Sequence, residues 1–162
     1  CGKFRRERYS SSLKDKIYTP EYFPILRYGD VLLMLAEAEN EAHQGPTDLA
    51  YECINEIRQR AGISKLEGLS YTDFQQAVRD ERARELCFES LRKYDLVRWG
   101  IYVEAVHDKL GAATQDKRWA TGNQFIGARD YAARTQEKHQ FLPIPTKELD
   151  VNGKLEQNKY WQ

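Results

Sequence analysis

Between residues 26 and 110, apolar side chains recur three and four positions apart in four successive runs. That spacing puts each run on one face of a helix. The first predicted helix covers about 26–44, with Tyr28, Val31, Leu32, Leu35, Ala38 and Ala42 on one face and Leu33 and Met34 outside it. A helix that is apolar over more than half its circumference is expected to have neighbours on two sides. Gly45-Pro46 stops it, and Thr47 is placed to cap the next. The second helix covers about 48–61. Its stripe is Ala50, Cys53, Ile54, Ile57 and Ala61, with Glu52, Asn55 and Gln59 facing away and Gly62 ending it. The third covers about 73–90, capped by Thr72 or Asp73, with the stripe Phe74, Ala77, Val78, Glu81, Glu85 and Phe88. The fourth covers about 94–110, with Leu96, Trp99, Val103, Val106 and Leu110.

Helices joined by about three residues must pack antiparallel, so residues 26–62 read as an αα-hairpin and the third and fourth helices as a second. The expected fold class is all-α: TPR-like antiparallel helix hairpins with irregular C-terminal loops. Two helix pairs are fewer than the three repeats a solenoid usually needs, so this core is expected to lean on further chain. Residues 1–24, polar and basic with Pro20 and Pro24, read as an extended entry segment. Residues 25–110 form the helical core, and residues 111–162 a loop-rich segment of the same domain. Within the last stretch Pro143 and Pro145 hold Phe141–Pro145 extended, Thr146 can cap a short turn, and Asn152-Gly153 is a turn signal.

Composition excludes several function classes. The 162 residues suit one domain, and 41% hydrophobic against 31% charged residues is a globular balance. Lys+Arg and Asp+Glu are 25 each, so no basic footprint for nucleic acid or an anionic membrane exists. No apolar run is long enough to span a bilayer. Cys1, Cys53 and Cys87 have neither CxxC spacing nor a matched His pair, and His43, His107 and His139 are scattered. No metal site and no cofactor is expected. No lipoprotein signal precedes Cys1, so a boundary rather than a lipidated terminus is expected there.

The third helix carries the most physical information. A carboxylate on an apolar stripe needs a cation or several donors. Glu81 and Glu85 are therefore expected to be buried in structural ion pairs with arginines close in the pattern: Arg58 and Arg60 late in helix two, Arg92 and Arg98 around helix four. The rival reading makes Glu81 and Glu85 the acid/base couple of a glycoside hydrolase, since residues at i and i+4 lie about 5–6 Å apart at Cβ. That chemistry needs the two groups on opposite sides of a sugar, which one helical stripe does not provide. No catalytic residue is assigned. For sugar binding, exposed flat aromatics with planar polar neighbours are wanted. Trp119 beside Arg118, with Asn123 and Gln124 near, is the first candidate, and Tyr131 beside Asp130 the second. Trp99 reads as core, and Tyr160 and Trp161 as tucked against the scaffold.

Four motifs in order then resemble one family. They are Arg27–Glu41 (RYGDVLLMLAEAENE), Tyr51–Gly62 (YECINEIRQRAG), Asp80–Gly100 (DERARELCFESLRKYDLVRWG) and Leu142–Asn152 (LPIPTKELDVN) with Gln157-Asn158. Together they are similar to the C-terminal part of the SusD/RagB family of outer-membrane nutrient-binding lipoproteins. The departures are at turns: Asn152-Gly153 and Asn158-Lys159 stand where the family has Asn-Pro, and Ser90 where it usually has Gly. The segment 111–140 matches no motif.

The resemblance implies a non-catalytic protein, lipid-anchored at the surface of the outer membrane of a Gram-negative bacterium. Its partners would be an oligo- or polysaccharide ligand and a SusC-like TonB-dependent transporter. Signal peptide, lipidated cysteine and N-terminal helices would lie outside this chain, and the aromatic platform of the family's glycan binders largely upstream. A helical-repeat scaffold for protein partners is the alternative from a different class, and the hydrolase the third.

Overall fold

The computed structural model describes residues 3–5, 22–110 and 123–162, the side chains of residues 123–126 excepted. The described residues form helices and no strand. These are α1 (Tyr28–His43), α2 (Asp48–Arg60), α3 (Tyr71–Glu85), α4 (Arg92–Arg98), α5 (Tyr102–Ala105), α6 (Asn123–Arg134) and α7 (Thr146–Val151). A π-helical turn, Val106–Leu110, continues α5, and short 3-10 turns cover Glu137–Gln140 and Lys159–Trp161. The all-α expectation holds. The chain separates into two compact units, residues 1–92 and 93–162.

The first unit is α1, α2 and α3, with α1 packed on both others. Its core is Leu33, Ile54, Phe74 and Val78, with the small Ala36 and Ala50 letting the helices approach closely. Tyr51 meets Phe74 edge to face, with centroids 5.0 Å apart, and its hydroxyl accepts the Leu69 N–H at 2.7 Å. Thr47 caps α2 through the Ala50 N–H, and Gln44 closes α1 in the left-handed region. Gly62, at φ +73°, follows the end of α2, where a side chain would be strained.

Five expectations need correction here. The buried face of α1 is Gly29, Asp30, Leu32, Leu33, Ala36 and Asn40, whereas Tyr28, Val31, Met34, Leu35, Ala38 and Ala42 are exposed. A helix apolar over so much of its circumference does not reveal by periodicity which half meets its neighbours. Asn55 faces inward: its Nδ2 donates to the Leu66 carbonyl at 2.9 Å and its Oδ1 accepts the Leu66 N–H at 2.7 Å, pinning the loop after α2. Ala61, in turn, lies past the helix and is exposed. The cap of α3 is Ser70, whose Oγ accepts the Asp73 N–H. The helix stops at Glu85, so Phe88 is not on its stripe and is 64% exposed. Phe88 and Ser90 sit at φ +66° and +62°, a left-handed pair that turns the chain after α3.

The second unit starts one residue into α4. The predicted helix over 94–110 is broken at Gly100, φ +70°, into α4 and α5. Leu96, Tyr102, Val106 and Ala132 form its core, with Trp99, Val103 and Leu110 packed around them. The stretch read as weakly patterned contains α6, whose Ala132 is buried in that core. The tail is held by side-chain hydrogen bonds to its backbone. Gln157 Oε1 accepts the Ile144 N–H at 2.8 Å and Gln157 Nε2 donates to the Ile144 carbonyl at 2.9 Å. Trp161 Nε1 donates to the carbonyls of Lys138 and Phe141, each at 3.0 Å.

Candidate functional site

Two arrangements of side chains are candidates for function, one in each unit. In the first unit the acidic face of α3 meets a set of cations. Arg58 Nη1 donates to Glu81 Oε2 at 2.9 Å, and Arg84 Nη1 lies 3.5 Å from the same oxygen. Arg60, at the end of α2, and Arg27, just ahead of α1, both donate to Glu85. Arg27 also reaches on to Glu89, with Nε 2.8 Å from Oε2, and Lys3 donates to Glu89 as well. Gly29 makes room for this: a Cβ there would sit 2.8 Å from Arg27 Nη1 and 3.0 Å from Glu85 Oε1.

The electrostatics follow from the geometry. Burial raises the Glu85 carboxyl, but the guanidiniums of Arg60 and Arg27 outweigh it and hold the group below its ordinary value. Burial opposes ionisation of Glu89 too, and Arg27 and Lys3 overcome it. Arg27 is disfavoured as a cation by burial, yet Glu89 and Glu85 raise it further. A general acid needs the opposite, a carboxyl kept protonated near neutrality. Arg92 Nη1 donates to the Arg79 carbonyl at 3.1 Å, and Arg98 Nε to Asp95 Oδ1 at 3.0 Å in its own helix. Arg27, Lys3 and Glu89 were not singled out in the sequence. Their signal is slight, because Arg27 and Lys3 lie outside any periodic run.

In the second unit a cleft of about 450 Å³ opens beside α6. Gly127, Tyr131 and Arg134 line it at positions 0, +4 and +7 of one helical face. Tyr102, Phe141 and Trp161 supply further aromatic wall. Tyr131 is half-exposed, and its hydroxyl is bonded to that of the buried Tyr102. Burial, with the bond to Tyr131 added, pushes the Tyr102 hydroxyl up to about 12. Lys93 Nζ stands 5.3 Å above the Tyr102 ring, and Asp130 lies 4.0 Å from Arg129 Nε. Of the candidate ligand residues, Tyr131 is in this cleft. Asn123 opens α6, its side chain outside the described residues, and Trp119 lies outside them altogether. Arg134 was missed, although its place one turn after Tyr131 was there to read.

Among the described residues no group of three His, Cys, Asp or Glu side chains could hold a metal ion. No described helix is long and apolar enough to cross a membrane.

Comparison with known proteins decides the family. A model described as the SusD family matches residues 1–161. The chain belongs to the SusD family. SusD-like protein P25 of Formosa agariphila is 41% identical over 135 residues, covering 81% of this chain and 22% of that protein. SusD-like protein P2 of the same organism is 29% identical over 148 residues, covering 85% of this chain and 25% of the relative. The chain thus spans about a quarter of the length of the curated SusD-like relatives it matches. A solved SusD homolog from Bacteroides thetaiotaomicron has a TM-score of 0.72 at 39% identity, over 83% of this chain and 26% of that one. A SusD superfamily structure from Bacteroides vulgatus has a TM-score of 0.61 at 30% identity, over 84% and 27%.

Proposed function

We propose that this chain is the C-terminal scaffold part of a non-catalytic glycan- or nutrient-binding protein of an outer-membrane SusCD-type uptake complex. The whole protein is a surface lipoprotein that captures an oligo- or polysaccharide and passes it to a SusC-like TonB-dependent transporter. Family membership across residues 1–161 is the observation that carries the reading. The state of the α3 carboxylates supports its non-catalytic side. Glu81 and Glu85 are both engaged by arginines, and Glu85 is shifted away from what a glycosidase acid requires. Trp119, Asn123 and Tyr131 are proposed as ligand-contacting residues within this chain.

The test is affinity electrophoresis of the full-length protein through gels containing soluble polysaccharides. Retardation by at least one of them is expected. Free migration in all of them would leave the helical-repeat scaffold for protein partners as the better account. Turnover of a glycan by the intact protein, abolished by Glu81→Gln, would make it a hydrolase instead.

A further inference from the structure

We propose that the cleft of the second unit is a subsite for a sugar bearing an anionic group, with Arg134 meeting the anion and Tyr131 forming the platform under the ring. The proposal rests on the glycan-binding reading above and adds a place and a ligand class to it.

The cleft has the size of a small-ligand site, about 450 Å³, with a mainly apolar surface and charged groups at Lys93, Asp130 and Arg134. Pyranose rings present C–H patches that lie well on aromatic faces, and Tyr131, half-exposed at its edge, offers one. The Tyr131 and Tyr102 hydroxyls share one hydrogen bond, so one of their two protons remains to donate to a bound hydroxyl. Gly127, one turn before Tyr131, leaves the space open, since a Cβ there would meet nothing within 4 Å.

The charge balance selects the ligand. Arg134 lines the cleft, and among the described residues it makes no hydrogen bond or ion pair. Lys93 adds a second cation, placed over the Tyr102 ring. Asp130 is the one carboxylate among the lining residues, and it has Arg129 beside it. His139 Nδ1 accepts the Gln136 N–H. An unpaired guanidinium beside aromatic walls is matched by a planar carboxylate or a sulfate ester, both of which accept its paired N–H groups. A neutral sugar offers that fork only single, uncharged hydroxyl acceptors, which bond it more weakly.

The test is calorimetric titration of the intact protein with three oligosaccharide probes of equal length: galacturonate, sulfated galactan and neutral galactan. At least one acidic probe is expected to bind more tightly than the neutral one. Arg134→Ala is expected to weaken that acidic probe by about ten- to a hundredfold and the neutral one little. Arg134→Lys keeps the charge but loses the fork, and should fall between. Tyr131→Ala is expected to weaken all probes that bind. Circular dichroism confirms that each variant is folded, which is expected because Arg134 and Tyr131 are exposed. Which acidic probe responds distinguishes a carboxylate from a sulfate ligand. Binding of the neutral probe alone, or an acidic preference that survives Arg134→Ala, overturns the subsite while leaving the glycan-binding reading intact. Binding of none of the three, with no retardation in the polysaccharide gels, removes both.

Discussion

Arg82 Nη1 in α3 donates to Asp30 Oδ1 in α1 across 2.8 Å, with both side chains buried. Truncating one partner of a buried ion pair typically destabilises by about 3–5 kcal/mol. Asp30→Ala is therefore expected to lower the unfolding free energy by about that amount in urea. A loss of under about 1 kcal/mol would show that the pair is as weak as an exposed one.

Acid should loosen the same unit through Glu85 and Glu89. Both have folded-state values below the ordinary 4.5, so the unfolded chain binds their protons more readily than the folded chain does. Their stabilisation is fully present well above 4.5 and is lost as the pH falls through the depressed folded values. Urea midpoints measured between pH 7 and pH 3 are expected to drop, and Glu85→Gln should be less stable at pH 7 and show a shallower drop. Identical slopes for the two proteins would remove Glu85 from the account.

The cap of α3 gives a sharper local test. Ser70→Ala removes the acceptor for the Asp73 N–H and is expected to cost about 1 kcal/mol. Thr72→Ala, inside the helix, is expected to cost a few tenths at most. Equal losses for the two variants would contradict the assigned start of α3.

Ser90 explains a departure from the family pattern. It holds φ +62°, where a side chain costs roughly 1–2 kcal/mol and glycine costs nothing sterically. Ser90→Gly is expected to stabilise the chain by about 0.5–1 kcal/mol after the added flexibility of the unfolded state is subtracted. A raised melting temperature checks it, and a lowered one would mean that the hydroxyl matters more than the backbone.

What could be read from the sequence followed the strength of its periodicity. The stripe of α2 was legible because its apolar residues are few and evenly spaced, and Ala50, Cys53, Ile54 and Ile57 are all buried. The inward face of α1 was not, because Val31 and Leu35 are as apolar as Leu32 and Leu33, and tertiary packing alone selects between them. The break at Gly100 and the turn at Phe88 and Ser90 after α3 involve left-handed residues, which leave no mark on hydrophobic spacing. The buried state of Glu81 could be inferred from its place on the stripe. The reach of Arg27 to both Glu85 and Glu89 could not, since it spans 58 and 62 residues of chain. In the second unit, Tyr131 was visible as an aromatic beside a carboxylate, but the cleft it lines exists only once α6 and the 141–143 segment are brought together.

The grip of Gln157 on Ile144 has a consequence for how this protein behaves in a crowded compartment. Flanked by Pro143 and Pro145, Ile144 offers the single backbone N–H of that extended tripeptide, and one amide side chain already occupies both its donor and its acceptor. An open ribbon of main chain invites a stranger to pair alongside. Here the invitation is withdrawn by an internal surrogate, which leaves neither the N–H nor the carbonyl of Ile144 without a bond.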